Sequence, residues 1–133
     1  MSGTYTYLAE RLAQGSAPPE YVSLPFDTIV LAAMEYQPRM PGYEVFHVPL
    51  DDAKPTRTER ALIRSAASEV ARRVRHGRRV LVTCWQGRNR SGVISGLALV
   101  ELGLPRSQAI RRIRDLRNGL TNPYFYAIVN GTI

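Results

Sequence analysis

Four apolar residues, Val80-Leu-Val-Thr83, break off into a polar, glycine-bearing stretch from Cys84 to Asn89, which gives way to an apolar helical pattern from about Arg90 to Leu102, stopped by Gly103. A strand that short and that apolar is buried on both faces, as strands of a parallel sheet are. The same alternation of strand and helix signals runs through the chain. Thr28 to Met34 and Tyr43 to Val48 read as two strands separated by the turn residues Pro38, Pro41 and Gly42. Thr56-Arg-Thr-Glu59 fits a capping box opening a helix with the stripe Leu62, Ile63, Ala66, Ala67, Val70 and Val74, closed by Gly77. Pro105 starts a further helix that turns Ala109, Ile110, Ile113 and Leu116 inward and Arg106, Arg111, Arg112, Arg114 and Arg117 outward, and a last helix begins near Asn122-Pro123. The expectation is a single α/β domain over residues 1–133, with a largely parallel central sheet flanked by helices. In such sheets ligands gather at the carboxyl ends of the strands.

A chain of 133 residues, 44% hydrophobic, buries enough surface for a core without covalent staples. None is offered: Cys84 is the single cysteine, and His47 and His76 are the two histidines, so an ordinary zinc site has no ligands and no metal or other cofactor is expected. The start, Met1-Ser-Gly-Thr-Tyr-Thr-Tyr-Leu8, lacks a basic segment followed by an apolar run, and no stretch has the roughly 18 apolar residues of a transmembrane span, so a cytoplasmic location is expected.

Charge is distributed unevenly. Before Thr56 stand three bases and seven acids, and from there on fifteen bases and four acids, nearly all the bases being arginine. The guanidinium fork holds phosphate oxygens two at a time, so the basic half suits an anionic partner; many of these arginines are also ordinary solvated helix faces. Individual positions must decide.

The loop after the apolar strand, Cys84-Trp-Gln-Gly-Arg-Asn-Arg-Ser-Gly92, is such a position. Backbone N–H groups of a tight loop entering a helix converge on a tetrahedral oxyanion, and the helix N-terminus adds about half a positive charge. Trp85, Gln86, Gly87, Arg88, Asn89 and Arg90 form the expected phosphate-binding loop, with Gly87 allowing the turn. Cys84 is the candidate nucleophile, the helix end and Arg90 favouring its thiolate, while Arg90 grips phosphate oxygens and the Ser91 hydroxyl bonds the sulfur. With this composition a cysteine is followed by Gly at the third, Arg at the sixth and Ser or Thr at the seventh position by accident about once in a thousand. Against the alternative of a small buried hydrophobe, the full pattern favours chemistry.

Val82-Thr-Cys-Trp-Gln-Gly-Arg-Asn-Arg-Ser-Gly92 resembles the signature loop of the cysteine-based protein tyrosine phosphatases, particularly their compact dual-specificity branch. Phe46-His-Val-Pro-Leu-Asp-Asp52 is similar to that branch's general-acid loop, and Phe26 to Val30 and Arg117 to Phe125 resemble its first core strand and C-terminal segment. The resemblance implies a metal-independent phosphomonoester hydrolase acting through a cysteinyl-phosphate, with Asp52 as general acid and the adjacent Asp51 as the alternative. Thr83 stands where the family usually has histidine, so the bond that braces the loop must come from a hydroxyl or be absent. Trp85 either lines the substrate rim or packs beneath it.

Few residues precede Thr28 to build deep walls, so a shallow pocket is expected, one that admits phosphoserine and phosphothreonine besides phosphotyrosine on a protein substrate. Gln14 to Tyr21 is the expected neighbouring rim, with Tyr21 a stacking group or ordinary surface. Arg88, a second cation inside the loop, favours a more anionic substrate, such as a phosphoinositide lipid or an RNA 5′ end. Outside enzymology stand two other readings: a catalytically silent phosphate-binding module, and electrostatic nucleic-acid binding by the arginine helix 106–117, which lacks interleaved aromatics.

Overall fold

The computed structural model describes residues 4–20 and 23–133. The elements are β1 (Tyr5–Ala9), β2 (Leu12–Gly15), β3 (Thr28–Ala33), β4 (Glu44–Leu50), α1 (Arg57–Arg75), β5 (Val80–Thr83), α2 (Arg90–Glu101), α3 (Arg106–Arg117) and α4 (Pro123–Asn130). They form one α/β domain around a five-stranded sheet of order β1-β2-β5-β3-β4, parallel across β2/β5, β5/β3 and β3/β4 and antiparallel at β1/β2. The β1–β2 hairpin is the part the sequence pattern does not announce: β2 reads Leu-Ala-Gln-Gly and carries a polar residue among its four, all of them buried.

Side-chain alternation splits the strands between two cores. Leu12, Val30, Val80 and Val82 join Ile63, Val70, Val93, Ile94, Ile113 and Phe125 from the four helices, while Ala13, Ile29, Leu31 and Leu81 pack with Phe26 and Met40 from the connecting segments on the other face. The helices thus contribute to the first core, and the second is closed by loops. Thr56 caps α1 as its spacing predicts, its hydroxyl accepting from Glu59 N while Glu59 reaches back to Thr56 N.

Two inward assignments are corrected. Leu62 and Leu116 are exposed, because the buried stripe of α1 centres on Ile63, Ala67, Val70 and Ala71, and that of α3 ends at Ile113 before the chain turns through Asn118 in the left-handed region. The outward assignment of the α3 arginines also changes: Arg106 and Arg112 donate to the carbonyls of Val129 and Leu8, and Arg117 turns toward the loop after β5. Among the described residues, no helix is long and apolar enough to cross a membrane.

Candidate active site

Strand β5 sits centrally in the sheet, so its carboxyl end opens into the space between β2 and β3. There Cys84, 4% exposed, forms part of the wall of a hollow of about 200 Å³ whose other lining residues are Asp52, Trp85, Gln86, Arg88, Asn89 and Arg90. Ser91 Oγ lies 3.2 Å from Cys84 Sγ. Gly87 has φ +69°, and a Cβ there would fall 2.4 Å from the Gly15 carbonyl carbon, so the loop can lie against β2 only with glycine at this point.

The outer side of the loop is tied down by its carbonyls. Gln14 Nε2, on β2, donates to Gly87 O at 3.0 Å, to Arg88 O at 3.4 Å and to Ser91 Oγ at 3.1 Å. Arg117 donates from Nε to Gly87 O at 3.0 Å, from Nη2 to Gln86 O at 3.3 Å and from Nη1 to Thr6 Oγ1 at 3.2 Å. Burial pulls the Arg117 guanidinium below its ordinary value, opposed by its attraction to Cys84. Among the described residues, no acceptor engages the backbone N–H groups of Trp85 to Arg90. With carbonyls turned outward and N–H groups left over at a helix N-terminus, the loop has the form of an oxyanion cradle.

Arg90, 7% exposed, is held by Glu35 at the end of β3. Its Nη2 donates to Glu35 Oε2 at 2.7 Å, and its Nη1 donates to Glu35 Oε1 and, at 3.0 Å, to Leu50 O. That uses the end of the fork and leaves the Nε–H and the second Nη2–H, two parallel donors on one edge, matched in spacing to two phosphate oxygens. The hydrogen bonds to Glu35 raise the guanidinium further above its usual range, and the same bonds hold the Glu35 carboxyl below 4.5. A carboxyl lowered by its partner keeps that pair charged above its ordinary pKa and loses it only as pH falls through the lowered value. The pair is therefore intact throughout the mildly acidic range.

Asp52 faces the hollow from the β4–α1 connection, and two amides hold it. Asn89 Nδ2 donates to Oδ2 at 3.1 Å and Asn122 Nδ2 to Oδ1 at 2.9 Å. Asn122 also donates to Ala53 O and caps α4 through Oδ1, while Asn89 Oδ1 accepts from the backbone N–H groups of Thr121 and Asn122. The α3–α4 turn is thereby stitched to both the loop and the aspartate. Gly119 permits this approach, since a Cβ there would fall 2.3 Å from Arg88 O.

The structure brings together Cys84, Arg90, Ser91 and Asp52. Asp51 is not among the residues lining the hollow; its backbone N–H donates to Glu59. Arg88 lines the wall with its Nε committed to Asn118 O at 3.0 Å. Trp85 is 40% exposed at the rim, its ring edge-on to Tyr36 at 5.5 Å between centroids. The expected rim at residues 14–21 needs correction at its start, because Gln14 is fully buried beneath the loop; Tyr21 lies outside the described residues. Thr83 does not brace the loop: its hydroxyl donates to Val30 O at 2.8 Å, across to β3. Gln14 and Arg117 brace it instead. Neither they nor Glu35 and Asn122 emerged from sequence reasoning in these supporting roles, although a glutamine amid buried neighbours would have been conspicuous had β2 been recognised. Larger hollows of about 360 and 300 Å³ lie along α3, both lined by Arg111 and Asp115, and one of about 240 Å³ lies between Glu44 and the end of α1; none has a cysteine in its wall.

No family model matches the chain, and no curated protein matches its sequence. Solved structures do. Tk-PTP in its active form is 22% identical with a TM-score of 0.79, covering 96% of this chain and 95% of its own. Human DUSP28 is 21% identical with a TM-score of 0.79, covering 96% and 91%. A human tyrosine phosphatase-like serine/threonine/tyrosine-interacting protein, 15% identical, reaches a TM-score of 0.79 over 96% and 93%. The fold is that of the compact dual-specificity phosphatases.

Proposed function

We propose that this chain is a metal-independent phosphomonoesterase that works through a cysteinyl-phosphate, most specifically a dual-specificity protein phosphatase. The observation that carries the reading is the meeting of Cys84, Arg90, Ser91 and Asp52 around one hollow over the amide cradle. Fold alone is insufficient, since the matched folds include a protein described only as phosphatase-like. In the first step the Cys84 thiolate attacks phosphorus in line, the free edge of Arg90 and the loop amides hold the charged oxygens, and protonated Asp52 gives the leaving oxygen its proton. In the second, Asp52 as carboxylate takes a proton from water, whose oxygen attacks phosphorus and releases the sulfur. These groups supply a nucleophile, charge stabilisation and an acid without a metal. Turnover of 4-nitrophenyl phosphate by purified protein, undiminished by EDTA, is the expected result; activity that depends on added metal overturns the mechanism.

The small hollow, about 200 Å³ with Trp85 exposed at its rim, favours phosphotyrosine together with phosphoserine and phosphothreonine on protein substrates. A polyanionic substrate, a phosphoinositide or an RNA 5′ end, is favoured by Arg88, whose Nη atoms carry no hydrogen bond among the described residues while its Nε is anchored. Arg88→Ala separates the two. For a simple aryl phosphate kcat/KM should change by less than about threefold. For a polyanion the loss of a charge-assisted contact should cost roughly 10- to 150-fold, with strong salt dependence. A preference for neutral phosphopeptides with every rate unmoved by Arg88→Ala rules the polyanion out.

A further inference from the structure

We propose that Gln14 is a positioning residue that points the Ser91 hydroxyl hydrogen at Cys84 Sγ and thereby governs hydrolysis of the cysteinyl-phosphate rather than its formation. This rests on the function proposed above. Gln14 lies on the helix-covered face of β2, the face that carries Leu12 into the larger core, and is fully buried. Its Oε1 is buried with no hydrogen-bond partner, so the side chain bears the cost of a bare acceptor in a place a methionine or leucine could fill without one. Its donor end is engaged instead. The amide cannot be turned round, because Oε1 would then face the carbonyl oxygens of Gly87 and Arg88 that Nε2 now serves.

The consequence lies at Ser91. Its hydroxyl has one hydrogen, and among the described residues Oγ has two partners, Gln14 Nε2 at 3.1 Å and Cys84 Sγ at 3.2 Å. The carboxamide nitrogen is a donor only, so it occupies an Oγ lone pair; a Cys84 thiol donates to the same oxygen, and once the sulfur has lost its hydrogen, as thiolate or as cysteinyl-phosphate, the Ser91 hydrogen is the one left to point at it. This matters most when sulfur gains charge. As water adds to phosphorus and the S–P bond breaks, the bonding pair moves to sulfur and the proton of water goes to Asp52. The Ser91 O–H, already aimed, donates a hydrogen bond to the emerging thiolate without giving up its proton. In the forward step sulfur loses charge, and the same bond offers no advantage to the transition state.

Gln14→Met, which keeps length and removes the donor, tests the assignment with 4-nitrophenyl phosphate in rapid-quench and steady-state experiments. Release of nitrophenolate precedes hydrolysis, so kcat/KM reports formation of the intermediate and kcat includes its breakdown. Arg117 still holds the Gln86 and Gly87 carbonyls in this variant, so we expect kcat to fall roughly 3- to 10-fold while kcat/KM, which carries only the lost support of the loop, falls clearly less, with a nitrophenolate burst equal to the enzyme concentration. In a Ser91→Ala background Gln14→Met should lower kcat by no more than it lowers kcat/KM. Gln14→Asn, which retains the amide and shortens its reach, should show the same split, and serves if the methionine variant does not fold. A proportional fall in kcat and kcat/KM, an unchanged kcat, or an undiminished effect in the Ser91→Ala background overturns the role of Gln14 alone. Wild-type protein inert toward phosphomonoesters removes the phosphatase reading and this role with it.

Discussion

Cys84→Ser is expected to lower turnover of 4-nitrophenyl phosphate by about 10⁴-fold or more, the scale on which covalent catalysis fails when its nucleophile is removed. A serine hydroxyl at this position is not ionised near neutral pH and no imidazole stands beside it, the histidines of the chain being His47 and His76, neither of which lines the hollow. The cradle survives, because the loop amides, Gln14, Arg117 and the Arg90–Glu35 pair do not depend on the sulfur. The variant should therefore still bind vanadate or inorganic phosphate, measurable by calorimetry. Arg90→Ala gives the contrasting result, loss of both turnover and anion binding, since it removes the free guanidinium edge and leaves the Glu35 carboxylate unpaired beside the hollow. Substantial hydrolysis by purified Cys84→Ser protein contradicts the mechanism.

The second large effect is that of Asp52→Ala, an expected loss of about 10²- to 10⁴-fold in kcat, the usual worth of a positioned general acid. The reaction requires an ionised sulfur and a protonated carboxyl together, so the rate falls both where the sulfur is protonated and where the carboxyl is ionised. Removing the carboxyl should flatten the basic limb and leave the acidic limb in place. The loss should be greatest for alkyl phosphates, whose leaving oxygen needs the proton most. Asp51→Ala is the control, as its side chain is absent from the lining of the hollow. A loss confined to Asp51→Ala assigns the acid to the neighbouring residue.

What could be read from the chain follows the range over which each signal acts. The run Val80 to Thr83, the capping box at Thr56 to Glu59 and the compact loop Cys84 to Ser91 are local: their meaning depends on neighbours within about ten residues, so periodicity and turn chemistry expose them. The candidate nucleophile and its proposed cradle were legible for that reason. The proposed acid was legible only as far as the pair Asp51 and Asp52, because consecutive residues differ in direction, and direction is set by the packing of the connection against Asn89 and Asn122.

The sequence alone determined an α/β domain with a largely parallel sheet and pointed to the carboxyl end of its most apolar strand for the candidate anion site. The tertiary structure alone decided what holds that site in shape: Gln14 from 73 residues before Gly87, Glu35 from 55 before Arg90, and Arg117 from 30 after Gly87. None of the three belongs to a motif, and in a chain rich in arginine one more on a helix face carries no distinguishing mark. A buried carbonyl such as that of Gly87 must be satisfied and a buried cation such as Arg90 paired, but any donor or carboxylate that the fold delivers to the right point will serve. Chemistry at reacting atoms fixes residue type and spacing, whereas support for those atoms is chosen by whatever folds into reach.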